Sequence, residues 1–176
     1  TKPQIIEALK KYDSHQYLIN RLSKNGQRYL FYTVQEALKR DLPVELSLFP
    51  FVESQFDPYA QSSTGASGIW QFIPSTALEN GLKKNWWYDA RRDIVASTNA
   101  AYNFLIKLNE EHDDWLIAIA AYNAGPSRVR KEIRKNKEKD LPTDFWSLNL
   151  PKETRAYVPK ILALAEVIRN PRSFNI

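Results

Sequence analysis

A chain of 176 residues, 43% hydrophobic and 26% charged, has the length and balance of one globular domain with a real hydrophobic core. Its net charge of +5 weakly favours an anionic partner, but no nucleic-acid recognition motif accompanies that charge, so no nucleic acid is expected. With no cysteine, with two histidines (His15 and His112) that lack metal-ligand spacing, and with no apolar run long enough to span a bilayer, the chain is expected to use no metal, no cofactor and no membrane insertion.

Glycine is scarce, five in all, and the apolar spacing is mostly helical. Ile5, Ile6 and Leu9 open a short amphipathic turn. Tyr17, Leu18 and Leu22 share one helical face, as do Val34, Ala37 and Leu38, and Thr33 before Val-Gln-Glu resembles a capping box. Residues 45–54 read as a buried helix kinked at Pro50 and followed by an Asp57-Pro58 stop. Residues 62–67 form a Ser/Thr/Gly loop, and Ser75 is expected to cap a short helix that ends at Gly81. Trp86-Trp87-Tyr88 falls in a connector. Asp93 caps a long helix carrying Ile94, Ala101, Tyr102, Leu105 and Leu108. Residues 115–122 are apolar all round and predict a central buried helix. A basic helix over 127–135, a charged turn over 135–140 and a last helix over 154–169 with an internal Pro159 complete the chain. No strand pattern and no internal repeat emerges, so the expected fold is all-α.

The chemistry concentrates around Glu53. It stands at the end of an apolar run, 46–52, whose one polar side chain is Ser47. A carboxylate in such surroundings loses hydration, its pKa rises, and it can hold a proton near neutrality as a general acid does. The plain alternative is a paired structural glutamate. Gly65-Ala66-Ser67-Gly68-Ile69-Trp70-Gln71 offers a backbone able to approach a ligand, or simply a turn. Tyr122-Asn123-Ala124-Gly125 closes the buried helix, with Gly125 suited to its end and Asn123 offering donor and acceptor. The Tyr157 hydroxyl can reach a carboxyl, although helix packing is its default role, and Glu153 can be an acid at a helix N-terminus. Of the five Trp, nine Tyr and eight Phe, most are expected in the core and some, among Phe56, Trp70, Phe72 and Tyr122, as groove walls that keep water away.

Glu53-Ser54, then 65–74, then 121–125, then 153–159 stand in an order that resembles the lytic transglycosylases related to goose-type lysozyme, as do 88–93 and 143–146. The resemblance covers residues 31–172, with 1–30 as an N-terminal helical extension of a single domain over 1–176. It implies a lysozyme-like helical fold with a substrate groove. Carried over residue by residue, it makes Glu53 the catalytic acid, with Tyr157 hydrogen-bonding its carboxyl and Ser62 helping to orient acid and sugar. Ser54, Gln71, Ile73, Tyr122, Asn123 and Glu153 become substrate-binding positions.

The reaction so implied is non-hydrolytic cleavage of the β-1,4 bond between N-acetylmuramic acid and N-acetylglucosamine, leaving 1,6-anhydromuramic ends, with one glutamate as acid and then base. A second carboxylate, which ordinary glycosidases need, has no good candidate: Asp57 reads as part of a turn, and Glu45 lies two helical turns from Glu53. The expected partner is the peptidoglycan glycan strand, the expected state a monomer, and the expected location the periplasm or envelope of a Gram-negative bacterium. The chain begins without Met and reads as a catalytic domain excised from a longer protein that carries a lipid anchor and LysM repeats. The competing readings are a lysozyme-like hydrolase of the same polymer, a silent peptidoglycan-binding module and, on charge alone, a nucleic-acid binder.

Overall fold

The computed structural model describes residues 2–13 and 16–174; His15 lies outside them. The described residues hold eight α-helices: α1 Pro3–Asp13, α2 Gln16–Leu38, α3 Phe49–Ser54, α4 Pro74–Glu79, α5 Ile94–His112, α6 Trp115–Ala124, α7 Pro126–Lys137 and α8 Lys152–Arg169. Short 3-10 turns cover Val44–Leu48, Phe145–Ser147 and Pro171–Phe174. Extended pairing among the described residues is limited to isolated bridges such as Gln61 with Ser67 and Ser67 with Phe72.

The apolar helix α6 is the centre of the larger core. Ala118, Ala120 and Ala121 are fully buried, and α5, α7 and α8 pack around them. Asp114 starts α6 by accepting from the amides of Leu116 (2.7 Å) and Ile117 (3.2 Å). Asp93 does the same for α5 through Ala96, at 2.9 Å. A smaller cluster joins Ala8 and Tyr12 of α1 and Leu22 of α2 to Leu164 and Val167 of α8. Helix α3 sits at the seam between the two. Its Phe49 belongs to the larger core and Phe51 to the smaller one, which sets Glu53, partly buried, at the seam between them.

Several local expectations give way to tertiary contacts. Residues 45–54 are not one kinked helix. The 3-10 turn hands over to α3, and Pro50 lies in the first turn of α3, where a missing N–H costs nothing. Thr33 caps no helix, because α2 runs straight through it. Its buried hydroxyl donates to Leu30 O (3.0 Å), and its carbonyl accepts from Tyr102 Oη (2.8 Å), tying α2 to α5. Ser75 is not a cap either: Pro74 opens α4 after an extended Ile73. Helix α7 starts one residue before the predicted start and runs two beyond the predicted end, so the charged turn shrinks to 138–140.

Helix α3 is stopped abruptly. Gln55 and Phe56 both adopt left-handed conformations (φ 54° and 59°) that cost non-glycine residues roughly 1 kcal/mol or more each. The amide of Asn25 on α2 donates to Gln55 O at 2.8 Å, and the buried Phe56 ring anchors the turn.

The loop that follows is held equally tightly. Gly68 has φ 81°, and a Cβ there would collide with the Arg91 carbonyl. Replacing Gly68 with Ala is expected to cost about 3 kcal/mol or more, from overpacking plus backbone strain, read as a lowered urea midpoint.

Candidate active site

Glu53, on the last turn of α3, opens into a cleft of about 450 Å³. Ser62 and Gln71 line it from one side, Tyr122 and Asn123 from the end of α6, and Glu153 from the start of α8. Ile73 adds an apolar wall that is 43% exposed. Six residues far apart in sequence therefore meet one carboxyl in a single depression.

The carboxyl itself is held by α8. Tyr157 Oη donates to Glu53 Oε1, while among the described residues Oε2 has no hydrogen-bond partner. Phe49, one helical turn before Glu53, presents its ring to both neighbouring tyrosines. It meets Tyr122 edge-on at 5.4 Å and Tyr157 edge-on at 5.8 Å between centroids. Burial among these rings pushes Glu53 up from its ordinary 4.5 to about 7. The Tyr157 hydrogen bond opposes the rise, the negative charge of Glu153 adds to it, and Lys160 opposes it. Burial dominates, so the carboxyl is a proton donor near neutral pH. Burial, reinforced by Glu53, raises both Tyr122 and Tyr157 well above the ordinary phenol range, so both remain donors.

The other cleft residues are oriented by their own hydrogen bonds. Tyr122 Oη donates to Trp70 O (2.8 Å) and fixes the aromatic wall shared with Phe72 and Phe104. Thr154 Oγ1 donates to Asn123 Oδ1 (2.8 Å), which leaves the Asn123 amide N–H groups for a ligand. Gln71, left-handed at φ 49°, gives its amide N–H to Gly68 O (2.8 Å) and Ala60 O (3.3 Å), leaving Oε1 as an acceptor. Ser62 Oγ accepts from Ala66 N (3.0 Å) and lies 2.9 Å from Thr64 Oγ1.

Two expected placements differ, that of Ser54 and that of the rings Phe56 and Trp70. Ser54 does not line the cleft. One step along a helix turns a side chain by about 100°, and its hydroxyl instead reaches Pro50 O (3.0 Å) and Ile69 O (3.1 Å) beneath the motif loop. Phe56 and Trp70 are fully buried core residues, not walls. Asp57 stands in the expected turn, accepts from Tyr59 N (2.9 Å) and does not line the cleft. The second carboxylate in the cleft is Glu153.

Sequence reasoning missed Arg91, which is almost fully buried. It forks onto Asp89 at 2.7 and 2.9 Å and donates to Gly65 O (2.7 Å) and Phe72 O (3.1 Å), clamping both ends of the Gly-rich loop. The arginine side chain holds Asp89 below the usual carboxylate range, so the clamp stays charged. An Asp-x-Arg pair next to a loop of exposed-reading residues carries no sequence signal of burial. Thr154 and Phe104 were missed for the same reason. Among the described residues, no three His, Asp or Glu side chains gather as a metal would require.

The transglycosylase SLT domain family matches residues 32–144, and the chain belongs to that family. It is 46% identical over 174 residues to membrane-bound lytic murein transglycosylase D of Escherichia coli K12, covering 98% of this chain and 38% of that protein. Among solved structures it is similar to an inactive Glu-to-Gln mutant of lytic transglycosylase Slt from Pseudomonas aeruginosa (TM-score 0.58, 30% identity, 80% of this chain and 24% of that one). It is also similar to the 70 kDa soluble lytic transglycosylase of E. coli (TM-score 0.58, 25% identity, 74% of this chain and 22% of that one). The expected lysozyme-like helical fold is thereby shown. The chain spans 38% of the length of the curated relative.

Because folding raises the Glu53 pKa, the contribution of this group to stability is full below about 4.5 and is lost as pH rises through about 7. At about 1.4 kcal/mol per pH unit, with a discount for water in the open cleft, Glu53→Gln should stabilise the protein by ~1–3 kcal/mol at pH 8 and hardly at all at pH 4. Urea titrations at the two pH values measure the difference. Tyr157→Phe removes the hydrogen bond that favours the anion, so Glu53 should titrate above about 7 in a carboxyl-carbon NMR titration.

Proposed function

We propose that this domain is a peptidoglycan lytic transglycosylase that cleaves the β-1,4 bond between N-acetylmuramic acid and N-acetylglucosamine and leaves a 1,6-anhydro end. The observation that carries the reading is one carboxyl, Glu53, buried among aromatic rings and hydrogen-bonded by Tyr157, in a cleft lined by several polar side chains. Relatives named for this activity support it.

With Tyr157 occupying Oε1, the proton of Glu53 sits on Oε2 and passes to the glycosidic oxygen as the bond to C1 breaks. The substrate's own 2-acetamido oxygen stabilises the positive C1. The muramic 6-hydroxyl then attacks C1, and the ionised Glu53 takes its proton, which restores the acid. The attacking group is already part of the substrate, so its effective concentration far exceeds that of a free nucleophile. Asn123 supplies donors and Gln71 an acceptor for the acetamido and hydroxyl groups, while Phe72, Tyr122 and Phe104 keep bulk water from C1.

Residues 1–30 act as a helical extension of the catalytic core at 31–172 in a monomer. The domain works in the periplasm or cell envelope, and a lipid anchor and LysM repeats of the longer protein would supply attachment. Among the described residues no helix is long and apolar enough to cross a membrane.

The presence of Glu153 in the cleft favours a second reading, a hydrolase in which that carboxylate activates water. Mass spectrometry of digested sacculi separates the two. The transglycosylase yields muropeptides one water lighter than hydrolytic ones, and reducing-end muramic acid as the main product would overturn the assignment. Glu53→Gln should lower turnover by about 10⁴-fold or more, at or above the upper end of what a general acid usually contributes, because one group performs two proton transfers.

A further inference from the structure

Away from the cleft, and sharing no lining residue with it, the connector between α4 and α5 presents two indoles to solvent. Trp86 and Trp87 are 88% and 89% exposed, more than any other large apolar side chain described. Lone exposed apolar residues need no explanation, but a contiguous aromatic patch marks an interaction site. Here Tyr59, 76% exposed, and the half-exposed Tyr88 flank the pair.

The indoles are held outward by a pinned turn. Asn85 Oδ1 accepts from the amides of Trp87 and Tyr88, both at 2.8 Å, and Asn85 N donates back to Tyr88 O at 2.8 Å. Tyr88 Oη donates to Asp93 Oδ2 at 2.9 Å, and the base of the turn closes through Ala90 N to Lys83 O (2.9 Å) beside the buried Asp89–Arg91 pair. The two ring planes stand at 83°, with centroids 6.4 Å apart, so each offers a face of its own. A loose loop would let the rings fold back onto the protein; this turn denies them that.

The trough under the indoles continues past Tyr29, Pro58 and Tyr59 into a second one walled by Arg21, Lys24 and Arg28. Those three lie on one face of α2, are exposed, and form no ion pair among the described residues. The surface is thus aromatic at one end and cationic at the other. Asp89 and Asp93 beside the indoles are matched by Lys84 and Arg92 in the same trough, so that end carries no net charge and suits a neutral sugar. A strand of neutral amino sugars that carries carboxylates on side branches matches both ends.

We propose that this trough is a second, non-catalytic site for the peptidoglycan strand: Trp86 and Trp87 stack on its amino-sugar rings, and Arg21, Lys24 and Arg28 pair with the carboxylates of its stem peptides. The choice of polymer rests on the transglycosylase reading. Occupation of the trough holds the strand to the enzyme between cuts and raises the local concentration of bonds at Glu53.

Co-sedimentation with purified sacculi tests the proposal, in the Glu53→Gln background so that nothing is cut. Trp86→Ala with Trp87→Ala should weaken binding about tenfold, with an unchanged melting temperature. Arg21→Glu, Lys24→Glu and Arg28→Glu together should weaken binding to intact sacculi but not to insoluble chitin, whose amino-sugar strand carries no carboxylate. In the active protein, the double tryptophan variant should lower the ratio of sacculus turnover to tetrasaccharide turnover about tenfold. Equal binding with and without the indoles overturns the proposal, as does loss of a concentration-dependent dimer on Trp replacement, which would assign the face to a second copy. Release of anhydro products by the unmodified chain is scored separately. Its absence alongside tryptophan-dependent binding would sink the catalytic reading and leave this site standing.

Discussion

The structure turns on keeping one carboxyl dry enough to retain its proton and open enough to meet a ligand. Glu53 satisfies both because α3 is a single short helix wedged at the seam of two apolar clusters. Phe49 and Phe51 drive the helix into the interior from opposite sides, and Glu53 on the last turn is drawn in behind them. The tyrosines that meet Phe49 edge-on are also those that border the carboxyl, so one set of ring contacts serves packing and chemistry together. Deeper placement would leave an acid that no substrate can reach. Full hydration would return it to its ordinary acidity.

Polar contacts give the cleft its other wall. The Gly-rich loop has almost no regular structure to support it, and its position comes from the Arg91–Asp89 clamp, from Ser54 below and from the close approach of Gly68 to the chain at Arg91. Each of these is a buried hydrogen bond or a contact too tight for a side chain, and such features permit few alternative geometries. The pair of left-handed residues after Ser54 belongs to the same economy of space: it turns the chain away before it can cover the carboxyl.

Within the cleft the charges oppose one another. Glu153 favours the protonated acid, whereas Tyr157 and Lys160 favour its anion. In the proposed reaction the acid must later act as a base, and it needs such a balance, since a group held too firmly in either state performs half of the cycle.

How much of this was legible in the chain varies with the physics involved. Helices α5 and α6 follow from apolar spacing, with the Asp93 cap at the start of α5, and the uniform apolarity of 115–122 correctly marks the centre of the core. Thr33 and Ser75 misled because cap signatures are local, while Thr33 is used to join α2 to α5 and Pro74 pre-empts Ser75. Glu53 was legible from its apolar run. The burial of Phe56 and Trp70, the downward turn of Ser54 and the clamp made by Arg91 were not, because which face of a short element looks inward depends on partners brought together from distant positions. The sequence by itself determined helix content, the order of the motifs and the candidate acid, since periodicity, capping and hydration loss are properties of neighbouring residues. Only the tertiary structure decided that Tyr157 reaches that acid, that Glu153 shares its cleft and that two indoles are held out on a separate face, since each depends on distances between residues the chain keeps far apart.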